Sequence, residues 1–222
     1  LLVQENVTLT SINIGYRGFY DMVEVARSGS CNYDVACSDA DDWRDEIPCV
    51  AVISTGGGTF CTGFMVNNIR NDRDPLFMTA DHCGINAGNA PSLVTFWNFE
   101  NDPAVNCPGA GNETASLNQF LTGSNFLAAY ATSDFTIVRL DESPLDEWEI
   151  SYCGWSAEAE ASQWSVAIHH PSTDAKRWSL DIGPSEVYGY NTPGDDHIRV
   201  LDWDLGTTEP GSSGSPIFNA DH

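Results

Sequence analysis

Lysine is almost missing from this 222-residue chain. Lys176 is the only one, and eight arginines complete a basic set that faces 32 Asp and Glu. The formal charge of −23 excludes the usual modes of nucleic-acid binding, which need clustered Lys and Arg against phosphates. It equally excludes attraction to anionic membrane surfaces. Long apolar runs are missing too. The longest, such as Cys49 to Ile53, hold about five residues, whereas a membrane span needs about 20. No pair of cysteines has C-x-x-C spacing, so the seven cysteines do not suggest a tetrahedral zinc site. They read instead as disulfides formed in an oxidising compartment, and the protein is expected to be secreted. A charged n-region is absent from Leu1 to Gln4, which places any export signal upstream of this sequence. Seven is an odd number, and a partner cysteine is therefore expected outside residues 1–222. Internal repeats, low-complexity tracts and apolar residues at helical spacing are all lacking.

What is present is a folding chain rich in β-formers. Hydrophobic residues make up 41% and aromatics 11%, enough to bury a core despite the charge. The stretch Leu1 to Arg27 alternates weakly and contains no cysteine. Ser28-Gly29-Ser30-Cys31 then forms a small-residue joint. The expected organisation is 1–27 as the tail of an upstream or pro-region and 28–222 as one domain. Short β-like runs follow at Cys49 to Ser54, Phe60 to Val66, Leu76 to Thr79, Leu93 to Phe99, Phe126 to Tyr130 and Phe135 to Leu140. The second half continues with Trp148 to Trp155, Trp164 to Ile168, Arg177 to Ile182, His197 to Trp203 and Pro216 to Phe218. β-branched and aromatic residues separated by Gly, Pro, Asn and Asp at this spacing predict an all-β sandwich or barrel.

Three stretches can carry chemistry: Thr79-Ala80-Asp81-His82-Cys83, Thr132-Ser133-Asp134-Phe135, and Glu209-Pro210-Gly211-Ser212-Ser213-Gly214-Ser215-Pro216. A hydroxyl is a weak nucleophile at neutral pH. It needs a base to take its proton, and the base needs an acceptor to orient it. Ser213, His82 and Asp134 fill those roles. Gly211 lets the backbone turn so that its N–H and that of Ser213 face one pocket, the arrangement of an oxyanion hole. Gly214 removes a side chain that would crowd Ser213. The order His, Asp, Ser separates the chain from the α/β-hydrolases, which run Ser, Asp, His. Asp81 is a rival for the acid role, disfavoured because neighbouring side chains rarely reach the ring nitrogen of the adjacent histidine.

On these residues the chain resembles the chymotrypsin-fold serine endopeptidases, and within them the bacterial secreted lysyl endopeptidase group. The likeness runs from about Ser28 to the end. It includes Gly29-Ser30-Cys31-Asn32, Asp34-Val35-Ala36-Cys37, Cys61-Thr62-Gly63, Val66-Asn67-Asn68, Ala131 to Phe135, Gly154-Trp155, Ala167 to Pro171, Lys176-Arg177 and Thr208 to Pro216. The resemblance implies two antiparallel Greek-key β-barrels with the triad between them. It assigns His82 as general base, Asp134 as its orienting acid, Ser213 as nucleophile, and Gly211 and Ser213 as oxyanion-hole donors. It also implies a protein or peptide substrate and supports disulfides Cys61–Cys83 and Cys37–Cys107. No cofactor or metal is expected, and the protein is expected to be a monomer. Cys49 and Cys153 remain as a further pair that the resemblance does not support. Chymotrypsin carries an Asp immediately before the nucleophile, pairing with a cut N-terminus. Ser212 stands there in this chain, so that ion pair is not available, although cleavage near Arg27 would still remove a pro-region. Because Pro216 to Phe218 follows directly on Ser213, the second barrel is expected to be truncated at His222, with Cys31 pairing beyond it and the primary pocket undetermined. Cleavage after lysine rests on the resemblance alone.

Plainer readings account for the other features. His169-His170 lies on a strand and lacks a third ligand, so a structural role is expected. The acidic clusters read as solvated faces. The seven Trp raise the alternative of a secreted carbohydrate-binding domain, but they lie inside strand-like runs as often as in turns, and core packing explains most of them. A catalytically silent protease homologue acting as a binding module is the remaining alternative.

Overall fold

The computed structural model describes residues 28–102, 114–157, 161–189 and 197–222. Its strands are β1 (Tyr33–Asp34), β2 (Val50–Thr55), β3 (Thr59–Met65), β4 (Leu76–Thr79), β5 (Leu93–Trp97), β6 (Gln119–Thr122), β7 (Ser124–Tyr130), β8 (Phe135–Leu140), β9 (Ser165–His169), β10 (Arg177–Asp181), β11 (Glu186–Tyr188), β12 (His197–Arg199) and β13 (Ile217–Phe218). The helical turns among the described residues are 3-10 turns of six residues or fewer. No helix there is long and apolar enough to cross a membrane. The architecture is all-β and antiparallel, the class expected from the sequence.

Seven strands form one sheet in the order β6-β5-β2-β3-β4-β8-β7. Its two edge strands are consecutive in sequence, separated only by Gly123. The Gly123 N–H donates to Leu93 O at 2.7 Å, and its carbonyl accepts from Asp141 N at 3.2 Å. One bent segment thus pairs with β5 through its first half and with β8 through its second, and the sheet closes on itself. β2 is covered on both faces, which explains its unbroken apolar run. Ala51 and Ile53 enter the main core, while Val52 packs with Val94, Phe96 and Phe99 on the other side.

A second sheet has the order β1-β10-β9-β13, and β11 pairs with β12 alone. Among the described residues this sheet is open, and no closed second barrel is seen. Both sheets contribute to one core. Ile53, Phe77, Val138 and Leu140 from the first meet Val166, Ile168, Trp178 and Phe218 from the second.

Trp148 to Trp155 does not form the expected strand. A 3-10 turn at Asp146–Trp148 is followed by Glu149 at φ 54°. The chain then meets β3's exit only at a single bridge, Val66 to Cys153. Ile150 and Cys153 are buried in the core and Trp148 and Tyr152 pack against it, while Trp155 is exposed. Cys49 and Cys153 are bonded, and so are Cys61 and Cys83. Cys37 is disulfide-bonded. Its expected partner Cys107 lies outside the described residues, as does the expected boundary at 27. Cys31 is a free, exposed thiol.

The Cys49–Cys153 bond closes a separation of 104 residues. Replacing both cysteines with alanine should cost about 4 kcal/mol, mainly through the greater freedom of the unfolded chain. Equilibrium denaturation in guanidinium checks this.

Candidate active site

β4 ends at Thr79, and the chain turns through Asp81–Cys83 before Gly84 reverses it. This turn carries His82 at the surface. It is fastened from behind by the bond from Cys83 to Cys61 on β3, whose Cα atoms lie 6.3 Å apart. The turn between β7 and β8 carries Asp134 at φ 52°, a region few non-glycine residues occupy. That conformation lets one carboxylate grip the neighbouring turn twice. Oδ1 accepts from the His82 backbone N–H at 2.9 Å, and Oδ2 lies 2.6 Å from His82 Nδ1. The Asp81 N–H donates to the Asp134 carbonyl at 3.2 Å. Of the two carboxylates, Asp134 is therefore the one that orients the ring. With Nδ1–H donating to Asp134, Nε2 is left as an acceptor facing outward. The His82 side chain is 57% exposed and that of Asp134 35%.

The loop from Glu209 to Pro216 packs against this turn from the other side. At φ 101° for Gly211 and 85° for Gly214, both are in the left-handed region that favours glycine. Space is decisive at Gly214. A Cβ there would overlap Thr62 O and Thr79 Oγ1 and lie 2.8 Å from Ala80 N. The backbone after Ser213 is thus pressed against Thr62, Thr79 and Ala80, the residues that lead into the turn of His82. No hydrogen bond joins Ser213 Oγ to His82 Nε2, and bonds of this kind tighten when substrate binds. Among the described residues, the N–H groups of Gly211 and Ser213 have no internal acceptor.

Thr62, fully buried on β3, is the hub that the motifs did not disclose. Its N–H donates to Ser213 O at 2.9 Å. Its hydroxyl donates to Gly211 O at 2.8 Å and accepts from His170 N at 3.1 Å. Its carbonyl accepts from Thr79 Oγ1 at 2.7 Å. One residue therefore fixes the loop of Ser213 to the strand that leads to His82.

Behind the loop lies His169. The Glu209 N–H donates to Ser212 Oγ at 3.2 Å, and the same oxygen lies 2.7 Å from His169 Nδ1. His169 Nε2–H then donates to Ser179 Oγ at 3.1 Å, and Ser179 to Thr207 O at 2.9 Å. Because the Ser179 proton is committed to Thr207, Nε2 carries the ring proton. Burial pushes the His169 pKa down to about 4 and keeps the ring neutral, which leaves Nδ1 to accept from the Ser212 hydroxyl. His170, buried against Phe99, is also held well below the usual histidine range, by burial first and then by the Lys176 charge. Neither belongs to a metal-binding cluster among the described residues.

An unfolded His169 takes up a proton near pH 6.5 and the folded one only near pH 4. Stability from this group is therefore complete above pH 6.5 and is lost as pH falls toward 4. The loss should reach about 3 kcal/mol. Urea midpoints of the wild type and His169→Gln across that range should converge as the pH drops.

Residues 25–222 match the family model described as lysyl endopeptidase, C-terminal domain. A curated relative, the lysyl endopeptidase of Pseudomonas aeruginosa, is 30% identical over 204 residues, covering 86% of this chain and 42% of the relative. The chain thus spans less than half the length of that relative. Among solved structures, the thermostable serine protease AL20 from an extremophilic microorganism superposes with a TM-score of 0.53 at 14% identity, covering 80% of this chain and 81% of that one. The MamO protease domain of Magnetospirillum magneticum gives a TM-score of 0.50 at 12% identity, covering 81% and 82%. At such identities the two structures speak for the fold alone.

Proposed function

Because the chain belongs to the family of lysyl endopeptidase C-terminal domains, we propose that it hydrolyses peptide bonds as a secreted serine endopeptidase, with Ser213, His82 and Asp134 as its triad. The observation that carries this reading is the His82 ring held by Asp134 at 2.6 Å beside a loop whose Gly211 and Ser213 amides have no internal acceptor among the described residues.

In the proposed reaction His82 Nε2 takes the Ser213 hydroxyl proton as Oγ attacks the substrate carbonyl carbon. The carbonyl oxygen gains negative charge and accepts from the N–H groups of Gly211 and Ser213. Asp134 stays ionised and stabilises the imidazolium. His82 then gives the proton to the leaving amine, and the acyl-enzyme remains. Water deacylates it by the same sequence, with His82 again as the base.

The further proposal is cleavage after lysine, supported by the likeness to the Pseudomonas lysyl endopeptidase. One feature of this chain suits such an activity. Its single lysine is fully buried, with Nζ donating to Ile47 O at 2.8 Å and paired with Glu100 at 3.3 Å. Burial lowers its pKa, and Glu100 opposes the shift. The folded chain offers no exposed lysine for its own kind to cut. The test is kcat/KM on matched peptides ending in Lys, Arg or Ala at the scissile bond. The lysyl peptide should exceed the arginyl one by at least about tenfold, the scale of one recognised side-chain difference. Equal values would discard lysyl specificity and keep the protease.

A further inference from the structure

The Glu209 side chain is not needed for any step above, yet it sits where three segments meet. Oε1 accepts from the Gly29 N–H at 2.8 Å and from Asn32 Nδ2 at 2.8 Å. Oε2 accepts from Ser172 Oγ at 2.7 Å. The backbone of Glu209 meanwhile belongs to the candidate catalytic loop. Its carbonyl accepts from Ser212 N at 3.0 Å, and its N–H donates to Ser212 Oγ. Burial alone would raise the Glu209 pKa, but the bonds from Ser172, Gly29 and Asn32 prevail and hold it below the usual value.

The neighbouring turn reinforces this junction. Ser172 N donates to Pro210 O at 2.7 Å. A Cβ on Gly211 would lie 2.7 Å from Thr173 N and 2.9 Å from His170 O, so the turn 170–174 supports the backbone of Gly211 directly. The same turn holds the other end of the docked segment. Ser28 donates to Asp174 Oδ2 through its N–H at 3.0 Å and its hydroxyl at 2.8 Å. Asp174 is itself buried and 3.4 Å from Arg177 Nη2. Two carboxylates, Asp174 and Glu209, therefore tie residues 28–32 to the two pieces of backbone that shape the loop around Gly211 and Ser213.

We propose that Glu209 is a positioning residue for catalysis: by joining residues 28–32 to the turn 170–174 and to its own loop, it sets the Gly211 and Ser213 amides in the geometry that receives the oxyanion. The inference rests on the serine-protease reading and adds the residue that makes the loop depend on the docked segment. Its consequence is that the state of the chain around Ser28 is felt at the site, without any acidic residue beside Ser213.

A structural prop and a positioning residue differ in which constant they move. In the intact protein, Glu209→Ala should lower kcat about a hundredfold, the effect of a displacement near 1 Å, while KM stays within about threefold. The affinity of a peptidyl boronate, whose oxygen occupies the oxyanion position, should fall by a similar factor. Glu209→Gln keeps an acceptor for Gly29 and Asn32 and a partner for Ser172, so it should restore kcat to within about fivefold of wild type. Asn32→Ala should fall between the two. A Glu209→Ala variant with normal kcat and normal boronate affinity would overturn the proposal, even if it melted earlier. If the wild type itself proves inactive, the protease reading fails, and hydrogen exchange still decides this one. In Glu209→Ala the amides of Gly29, Ser172 and Ser212 should exchange faster together. Faster exchange at Gly29 alone would overturn it.

Discussion

Ser213→Ala should lower turnover about a million-fold with the fold intact, the usual consequence of removing the nucleophile from a serine protease triad. Little else should change. The Ser213 carbonyl, not its hydroxyl, is what Thr62 holds at 2.9 Å, and no hydrogen bond joins Ser213 Oγ to the His82 ring. Thermal unfolding of Ser213→Ala should therefore track the wild type while kcat on a peptide substrate collapses. Retention of most activity would remove Ser213 from the reaction.

Asp134→Asn should cost about ten-thousand-fold in kcat, because an amide at this position favours the wrong imidazole tautomer. The structure gives the reason in two distances. One carboxylate oxygen takes the His82 backbone N–H at 2.9 Å, and the other faces Nδ1 at 2.6 Å. An asparagine that keeps its oxygen on the backbone N–H must turn its NH₂ toward Nδ1. The ring then accepts at Nδ1 and carries its proton on Nε2, where a base is required. Asp81→Asn should have a far smaller effect, since the Asp81 contact to Asp134 is through its backbone N–H. A comparable loss in the two variants would mean that the orienting acid has been assigned to the wrong residue. Rates on an activated ester, compared with those on an amide, provide the measurement.

The strands and the chemistry-bearing stretches were legible because they are local. Valine-rich β2 and the alternating run of β8 carry their pattern within six residues, and Glu209 to Pro216 announces itself by its glycines and serines. What the sequence could not disclose depends on distant partners. Thr62 reads as an ordinary strand residue, and only the fold brings Gly211, Ser213, Thr79 and His170 around it. Glu209 reads as a flank of the serine motif, while Gly29 and Asn32 lie 180 and 177 residues away. Trp148 to Trp155 has the composition of a strand, yet Ile150 enters the core, Trp148 and Tyr152 pack against it, Trp155 stays exposed, and Cys153 bonds to Cys49. β6 was missed for the opposite reason. Gln119–Thr122 has a single buried residue, Leu121, and owes its form to pairing with β5 after the bend at Gly123. A two-residue strand such as β1 has no periodicity to detect. It is held by its ladder to β10 and by the buried pairing of Asp34 with Arg177.

Reaction of the intact, folded protein with a fluorophosphonate, followed by peptide mapping, tests the central claim most directly. Only a serine whose proton is taken by a positioned base, next to donors that stabilise the phosphoryl oxygen, reacts quickly with such a probe. The account predicts one adduct per chain, on Ser213, greatly slowed in His82→Ala and lost on unfolding. No adduct, or an adduct on Ser212 or another serine at a rate indifferent to His82, would contradict it and would favour a silent homologue that binds without cutting.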